Sequence, residues 1–425
     1  MKQNILTVIF IPALFFSANV AAIDLGHGVA LRGFGTIGMA ASTNRDADYV
    51  VNPVTQGEGA GRSNGITYGV DSKVGMQLDW QATDRISFTG QGISKQFEDR
   101  TWTPRLEWAF AKFKAFSSLD IRAGRIRPSI YMLSDYLDVN YANTWVRPPS
   151  DHYSVVSITN MEGVDLLWRP KTGPINWLVQ PFYGNTTVTT TPSERFLPTN
   201  SFDADHIAGI SVTGSYSDFT FRLGYAHTYL SLHSNSFETK ARPGLQQICG
   251  LGDRIACSQL NALALDDKDA SFSSIGMTWD NGDYFVTGEA GRRRIDSYVA
   301  DTTSWYLSAG ARFDKFTPYG TFSQLLNDSP TKFTGDSTGR LGATTNQIST
   351  ALLTNNIMNQ HTISFGVRYD FYKNLALKFQ WDRIDTQTVK GQPGTGGGVF
   401  AYTTTAFANN NNSVDLFSVT TDFVF

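Results

Sequence analysis

The chain has 425 residues, a formal net charge of -3, 17% charged and 41% hydrophobic residues. That profile excludes a disordered chain, and the near-neutral charge gives no electrostatic footprint for nucleic acid. Aromatic residues at 13% and 38 glycines favour β structure punctuated by turns.

The chain begins "MKQNILTVIFIPALFFSANVAA". Lys2 supplies a positive end, Ile5 to Phe16 an apolar run, and Val20, Ala21 and Ala22 a small-residue cleavage site. Residues 1–22 are therefore predicted to be a secretory signal peptide, and residues 23–425 the mature chain. A membrane anchor is the competing reading, but the run is shorter than the roughly 20 apolar residues a span needs. Beyond it no apolar run is long enough for a transmembrane helix. A secreted soluble β protein and an outer-membrane β-barrel remain, and hydropathy does not separate them, because barrel strands alternate and average out.

Period-two alternation marks about sixteen segments of roughly 9–13 residues, the length of a tilted membrane strand. Eighteen stays open, since a long connection can hide a hairpin. The first segment contains "GFGTIG" (33–38), which has dinucleotide-motif spacing. The following "MAASTNRDADY" lacks the helical period that motif requires, so its glycines read as small residues of the first strand, open to packing against a neighbouring subunit. "YGVDSKVGMQLDW" then sets Tyr68, Val70, Val74, Met76, Leu78 and Trp80 against Asp71, Lys73, Gln77 and Asp79. "FTFRLGYAHTY" and "WYLSAGARFD" alternate likewise, with Arg222 and Arg312 on their polar sides. "HTISFGVRYDF" opposes Ile363, Phe365 and Val367 to Ser364, Arg368 and Asp370, and "LALKFQWDR" opposes Leu377 and Phe379 to Lys378 and Gln380.

The connections fall into two classes. Short ones lie at 81–84, 117–118, 170–174, 217–218, 281–283, 314–315 and 372–374. The "NGD" at 281–283 is a strong hairpin signal. Long connections lie at 41–66, 96–103, 128–161, 186–204, 231–269, 296–302, 327–358 and 386–413. Tight turns at one end and long loops at the other are the layout of an outer-membrane barrel, and a soluble sandwich has no reason to sort its loops this way. Large apolar residues flank the short turns: Trp80, Leu119, Trp168, Phe219, Trp279, Tyr284, Phe313, Phe316, Phe371 and Phe425. Together they would form one belt at a membrane interface. The last segment, "SVDLFSVTTDFVF", is amphipathic to its final Phe. It is expected to pair with the first strand, because no sheet edge can face lipid.

In this organisation the chain resembles the Gram-negative trimeric porins. The resemblance rests on the amino-terminal segment, the strand count, the sorted loops, the "IRAGRIRPS" run with its Gly124-Arg125 pair, and the terminal Phe425. It implies an all-β, sixteen-stranded, transmembrane antiparallel barrel in the outer membrane, with short periplasmic turns. Its third long loop, 128–161, would fold into the lumen. It further implies a homotrimer in contact with lipopolysaccharide, a terminal Phe425 read by the outer-membrane assembly machinery, and passive diffusion of ions and small hydrophilic solutes, without cofactor or metal. In the porin pattern, loop acids face a basic wall. Here the acids are Asp135, Asp138 and Asp151, with Glu162 and Asp165 just beyond, and the wall bases are Arg32, Lys73, Arg105, Arg122 and Arg125. The loop is rich in Tyr and Trp and lacks the acidic tip familiar in that family, which leaves ion preference open.

Other features carry less. Cys249 and Cys257 are spaced for a small disulfide loop in an oxidising compartment. "GRRRID" (291–296) could meet an anionic solute or lipopolysaccharide phosphate. "LDDKDA" (265–270) lacks a known metal-ligand spacing. A receptor or adhesin barrel with an occluded lumen is the alternative function. An outer-membrane barrel hydrolase is a third, though no Ser, His and acid set can be assembled from spacing.

Overall fold

The computed structural model describes residues 22–191, 201–232, 237–328, 342–354 and 357–425. The expected signal peptide, apart from Ala22, lies outside the described residues, as do parts of three long connections. One 19-stranded antiparallel sheet contains three short segments, Ile23–Gly26, Ile66–Thr67 and Lys171–Thr172, and sixteen long strands.

The long strands are β1 Val29–Ser42, β2 Lys73–Gln81, β3 Ile86–Lys95, β4 Arg105–Phe116, β5 Leu119–Ile126 and β6 Met161–Trp168. Next come β7 Ile175–Thr189, β8 Ser201–Tyr216, β9 Phe219–Leu232, β10 Lys268–Asp280 and β11 Tyr284–Ile295. The last five are β12 Thr302–Ala311, β13 Phe316–Asn327, β14 Gln360–Tyr372, β15 Leu375–Thr386 and β16 Asn412–Val424. Each pairs with its neighbour in sequence, and β16 pairs with β1 from Phe34↔Val424 to Ser42↔Leu416. The ring is therefore closed and leaves no open edge.

The seam explains two features of the sequence. Gly33 and Phe425 exchange backbone hydrogen bonds at 2.9 Å in both directions. A Cβ at Gly33 would come within 2.1 Å of the Phe425 ring, and one at Gly35 within 2.5 Å of the Phe423 ring. The glycines of "GFG" thus let the last two aromatic rings lie across the first strand. Rings of the same chain fill the space that the sequence left open for a neighbouring subunit.

Alternation sorts the side chains onto two faces. One face is apolar and exposed, as at Ile37, Met39, Met76, Leu223, Ile275, Met277 and Phe365. The other carries Thr36, Gln91, Ser211, Ser308, Thr321, Gln380, Ser418 and Thr420, all buried. Short turns join the strands at one end, and Gly282 of "NGD" takes φ +95°, a conformation that favours glycine. Near that end Trp80, Trp168, Phe219, Tyr284, Phe313 and Phe316 stand exposed, while Leu119, Trp279, Phe371 and Phe425 are half-buried.

The opposite end departs from the expected polar loops. Helices α2 Arg242–Gly250 and α3 Arg254–Ala262 form in one connection, and α4 Gly342–Thr354 in another. Asp253 caps α3 by accepting from Ile255 N and Ala256 N. Leu245, Ile248, Ala256 and Leu353 are buried in the same cluster as Phe202, Leu230 and Phe272 of the wall. The upper inner wall of β8–β10 is therefore apolar where the sequence reading expected polar residues, because helices and connecting segments pack onto it. In this cap the Cys249 and Cys257 sulfurs stand 2.09 Å apart and join α2 to α3.

Candidate functional site

The connection between β5 and β6, residues 127–160, holds the densest polar network. It is mostly irregular, with single turns at Ser134–Tyr136, Asn140–Ala142 and helix α1 at Ser150–Tyr153. Pro148 and Pro149 keep longer helix from forming there. Its backbone groups consequently find partners on the polar face of the wall, as buried groups must. Lys378 of β15 donates to three of its carbonyls, Asn140 O at 2.7 Å, Asn143 O at 2.6 Å and Trp145 O at 2.9 Å. The same ammonium lies 2.8 Å from Asp422 of β16. Arg368 of β14 donates to Tyr141 O and Asn143 O, and Arg222 of β9 to Ser129 O and Ile130 O.

Side chains of the segment reach the wall in turn. Trp145 Nε1 lies 3.0 Å from both Ser308 Oγ and Thr321 Oγ1. Arg147 donates to both oxygens of Asp71 at 2.7 and 2.6 Å, to Asp382 at 3.0 Å and to Ser418 at 2.6 Å. Its guanidinium lies 5.3 Å from the Tyr49 ring. Burial would lower its pKa, but the Asp71 and Asp382 charges and the Tyr49 partner hold it raised.

The three loop acids have different fates. Asp138 is buried and lies 2.6 Å from Arg127, 3.1 Å from Lys95 and 4.0 Å from Lys73. Burial pushes its carboxyl up, yet Lys95, Arg127 and Lys73 hold it well below the usual carboxylate range. Asp151 is also buried but meets no cation among the described residues. It accepts from Ser323 at 2.8 Å, Gln360 at 2.5 Å and Thr362 at 3.2 Å. Burial raises its pKa, and those hydrogen bonds only partly offset it. Asp135 alone is exposed.

The expected basic wall is likewise redistributed. Lys73 meets the segment, donating to Asn140 Oδ1 at 3.1 Å. Arg32 pairs instead with Asp79 near the turn end, Arg105 with Glu98, and Arg122 with Asp165. Arg125 needs correction as a wall base. It pairs across with Glu162, in the same register that sets Ala123 opposite Val164 and Ile121 opposite Leu166. Facing residues share a face, and Val164 and Leu166 are on the exposed apolar one. Arg125 therefore points outward, ion-paired to Glu162 at 2.6 Å. "GRRRID" is split by the same rule, with Arg292 and Arg294 exposed and Arg293 at inner parity opposite Phe272.

A set that spacing did not reveal is His152, Glu289 and Ser304. His152 Nδ1 lies 2.9 Å from Ser304 Oγ, and Nε2 lies 3.3 Å from Glu289. Glu289 also accepts from Met132 N and Tyr153 OH, both at 2.9 Å. All three side chains are buried, and the row ties the segment to β11 and β12. Sequence reading had already placed Asp71 and Lys378 on polar faces, though Asp71 lies in the turn just before β2. It lacked the partner, because residues 147 and 152 lie in a segment without periodicity.

No family model matches the chain, and no curated protein matches it. Solved structures do. The trimer form of OmpT, an outer membrane protein of Vibrio cholerae, superposes with a TM-score of 0.53 at 13% identity, covering 94% of this chain and all (100%) of that one. The anion-selective porin from Comamonas acidovorans gives 0.52 at 12% identity, covering 93% and 100%. The outer membrane channel DcaP of Acinetobacter baumannii gives 0.53 at 10% identity, covering 95% and 100%. The likeness is one of fold: this chain has the closed sixteen-stranded barrel of outer-membrane porins and channels.

Proposed function

We propose that the chain is an outer-membrane channel through which ions and small hydrophilic solutes diffuse passively. Residues 127–160 lie within the lumen and narrow it, as in the porin pattern. The observation that carries this reading is the hydrogen bonding of that segment to polar-face side chains of β9 and β11–β16 in a closed barrel. A segment that bonds strands on several sides of a ring is held across it. The exposed apolar face would meet lipid, with the turn-end aromatics at one interface.

Asp138 and Asp151 then anchor the constriction and Asp135 faces its opening, while Lys73, Lys95 and Arg127 fix its near side. Arg122 and Arg32 lie along the wall as ion-paired lumen charges. We read the assembly as a homotrimer, with Phe425 recognised by the outer-membrane assembly machinery and Arg292 and Arg294 placed for lipopolysaccharide phosphates. The chemistry is passage, and no residue acts as a catalyst.

A second reading, an occluded barrel serving as a receptor, is favoured by the burial of the Arg147, Asp71, Asp382, Lys378 and Asp422 charges. One experiment separates the two: single-channel conductance of the refolded chain in a planar bilayer, with the reversal potential across a salt gradient. Open steps in threes are expected from a trimeric channel. A silent bilayer with folded protein would overturn the channel reading in favour of the receptor.

A further inference from the structure

The upper half of the inner wall holds a cavity of about 140 Å³. Phe202, Leu230 and Phe272 line it from β8, β9 and β10, and Ile130 and Val155 from the tethered segment. This is the apolar part of a wall that is polar elsewhere. Its few polar side chains, among them Ser154, Ser157, Thr228 and Ser271, could meet only some of the hydroxyls of a sugar, and the rest would be buried without partners.

Among the described residues, Arg293 of β11 is the one arginine, lysine or carboxylate side chain in the lining, which also holds His227. It donates to Val155 O at 2.7 Å and to Ala300 O at 3.0 Å. Its Nε is shielded from solvent and has no partner. It makes no ion pair with any described residue. Asp301, whose Oδ1 accepts from Ile295 N at 2.9 Å, is not in ion-pair contact with it. A guanidinium offers five N–H donors in a fixed plane. Here at least one is unused beside an apolar space, and the only opposing charge among the described residues, Asp301, acts on the cation from beyond ion-pair contact.

We infer that this cavity is a binding site for a small aromatic carboxylate, its ring held between Phe202, Leu230 and Phe272 and its carboxylate on Arg293. The size agrees, since an apolar cavity of about 150 Å³ holds one benzene ring. The chemistry agrees as well, because a carboxylate can take two parallel bonds from one guanidinium edge. A neutral hydrocarbon leaves Arg293 without a directly bonded anion, and a bare inorganic anion leaves the apolar walls unfilled. The site depends on the barrel fold and not on conduction.

The test is calorimetric titration of the full chain, refolded in detergent, with benzoate. Saturable binding with a Kd of about 1 mM or tighter is expected for a ligand of this size. Arg293→Met keeps the bulk and removes the charge, and Ala226→Leu fills the cavity from β9; each should weaken binding about tenfold or more. Acetate and benzyl alcohol, which supply the charge and the ring separately, should bind at least about tenfold more weakly than benzoate. Far-UV circular dichroism verifies that each variant retains the barrel. Three results would overturn the site: no saturation by benzoate, equal binding by folded wild type and both folded variants, or acetate binding as tightly as benzoate. None of them bears on conductance, so the channel reading stands or falls separately.

Discussion

Arg147→Met removes the cation that ties the inner segment at once to Asp71, just before β2, and to Asp382 of β15. Asp71 and Asp382 are each only 3% exposed, so solvent has little access to screen them once the guanidinium is gone. Breaking a buried pair by removing one partner costs about 3–5 kcal/mol, because the remaining charge is left uncompensated. Here two carboxylates lose one shared partner, together with the bond to Ser418. The variant should therefore unfold at lower denaturant, with a loss of roughly 3–5 kcal/mol. The segment should not be freed entirely, since Lys378 still holds three of its carbonyls and Val146 N still donates to Gln380 at 3.1 Å. Open-channel current should become larger and noisier without becoming that of an empty barrel. Guanidinium titration followed by tryptophan fluorescence reads the first effect, and bilayer recording reads the second. Adding Asp71→Asn and Asp382→Asn to Arg147→Met should recover much of the loss, because a neutral replacement of a buried ion cluster is often tolerated. The reasoning fails if Arg147→Met stays within about 0.5 kcal/mol of wild type, the range of an ordinary surface change, or if the triple variant is the least stable of the set.

Three further outcomes follow from the same geometry. Asp135→Asn, at the exposed loop acid, should move the reversal potential toward anions, whereas Asp151→Asn, at a buried one, should leave selectivity unchanged and stability equal or higher; a reversal potential unmoved by Asp135→Asn would remove that residue from the ion path. The depressed Asp138 makes a stabilising contribution that is fully present above the ordinary carboxylate pKa of about 3.9 and is lost as pH falls through its lower folded value. Asp151 has the opposite sign, its burial penalty easing as pH falls toward its raised pKa. Stability measured between pH 7 and 5 should therefore not fall on account of Asp138, and a cooperative loss in that window that Asp138→Asn abolishes would contradict the assignment. Finally, peptide mass mapping without reductant should find Cys249 joined to Cys257, and two free thiols would refute the disulfide.

How much of this was legible beforehand differs from one element to the next. The turn into β11 was readable because "NGD" is a local hairpin signal, and strands β14 and β15 because their alternation is resolved within a few residues. The seam was foreseeable in kind, since a closed sheet needs a partner for its last strand. The role of Gly33 and Gly35 was not, because it depends on where the Phe423 and Phe425 rings fall. Arg125 was misplaced because its neighbours give no clear alternation, and only its register with Glu162 fixes the face. Helices α2, α3 and α4 were missed because their stability comes from packing on the apolar wall more than from a long amphipathic period.

The sequence by itself determined the sheet class, the sorting of turns from loops and, in the clearly alternating strands, which residues face which side. Each of those is written in a period of two and in local turn chemistry. Only the tertiary structure decided what residues 127–160 touch, that Arg147 sits between Asp71 and Asp382, and that Arg293 ends beside an apolar cavity. The partners in those contacts are 76 and 235 residues apart for Arg147 and 138 for Arg293 with Val155. No local pattern encodes such a pairing; it exists only once the ring has closed and brought the far wall within reach.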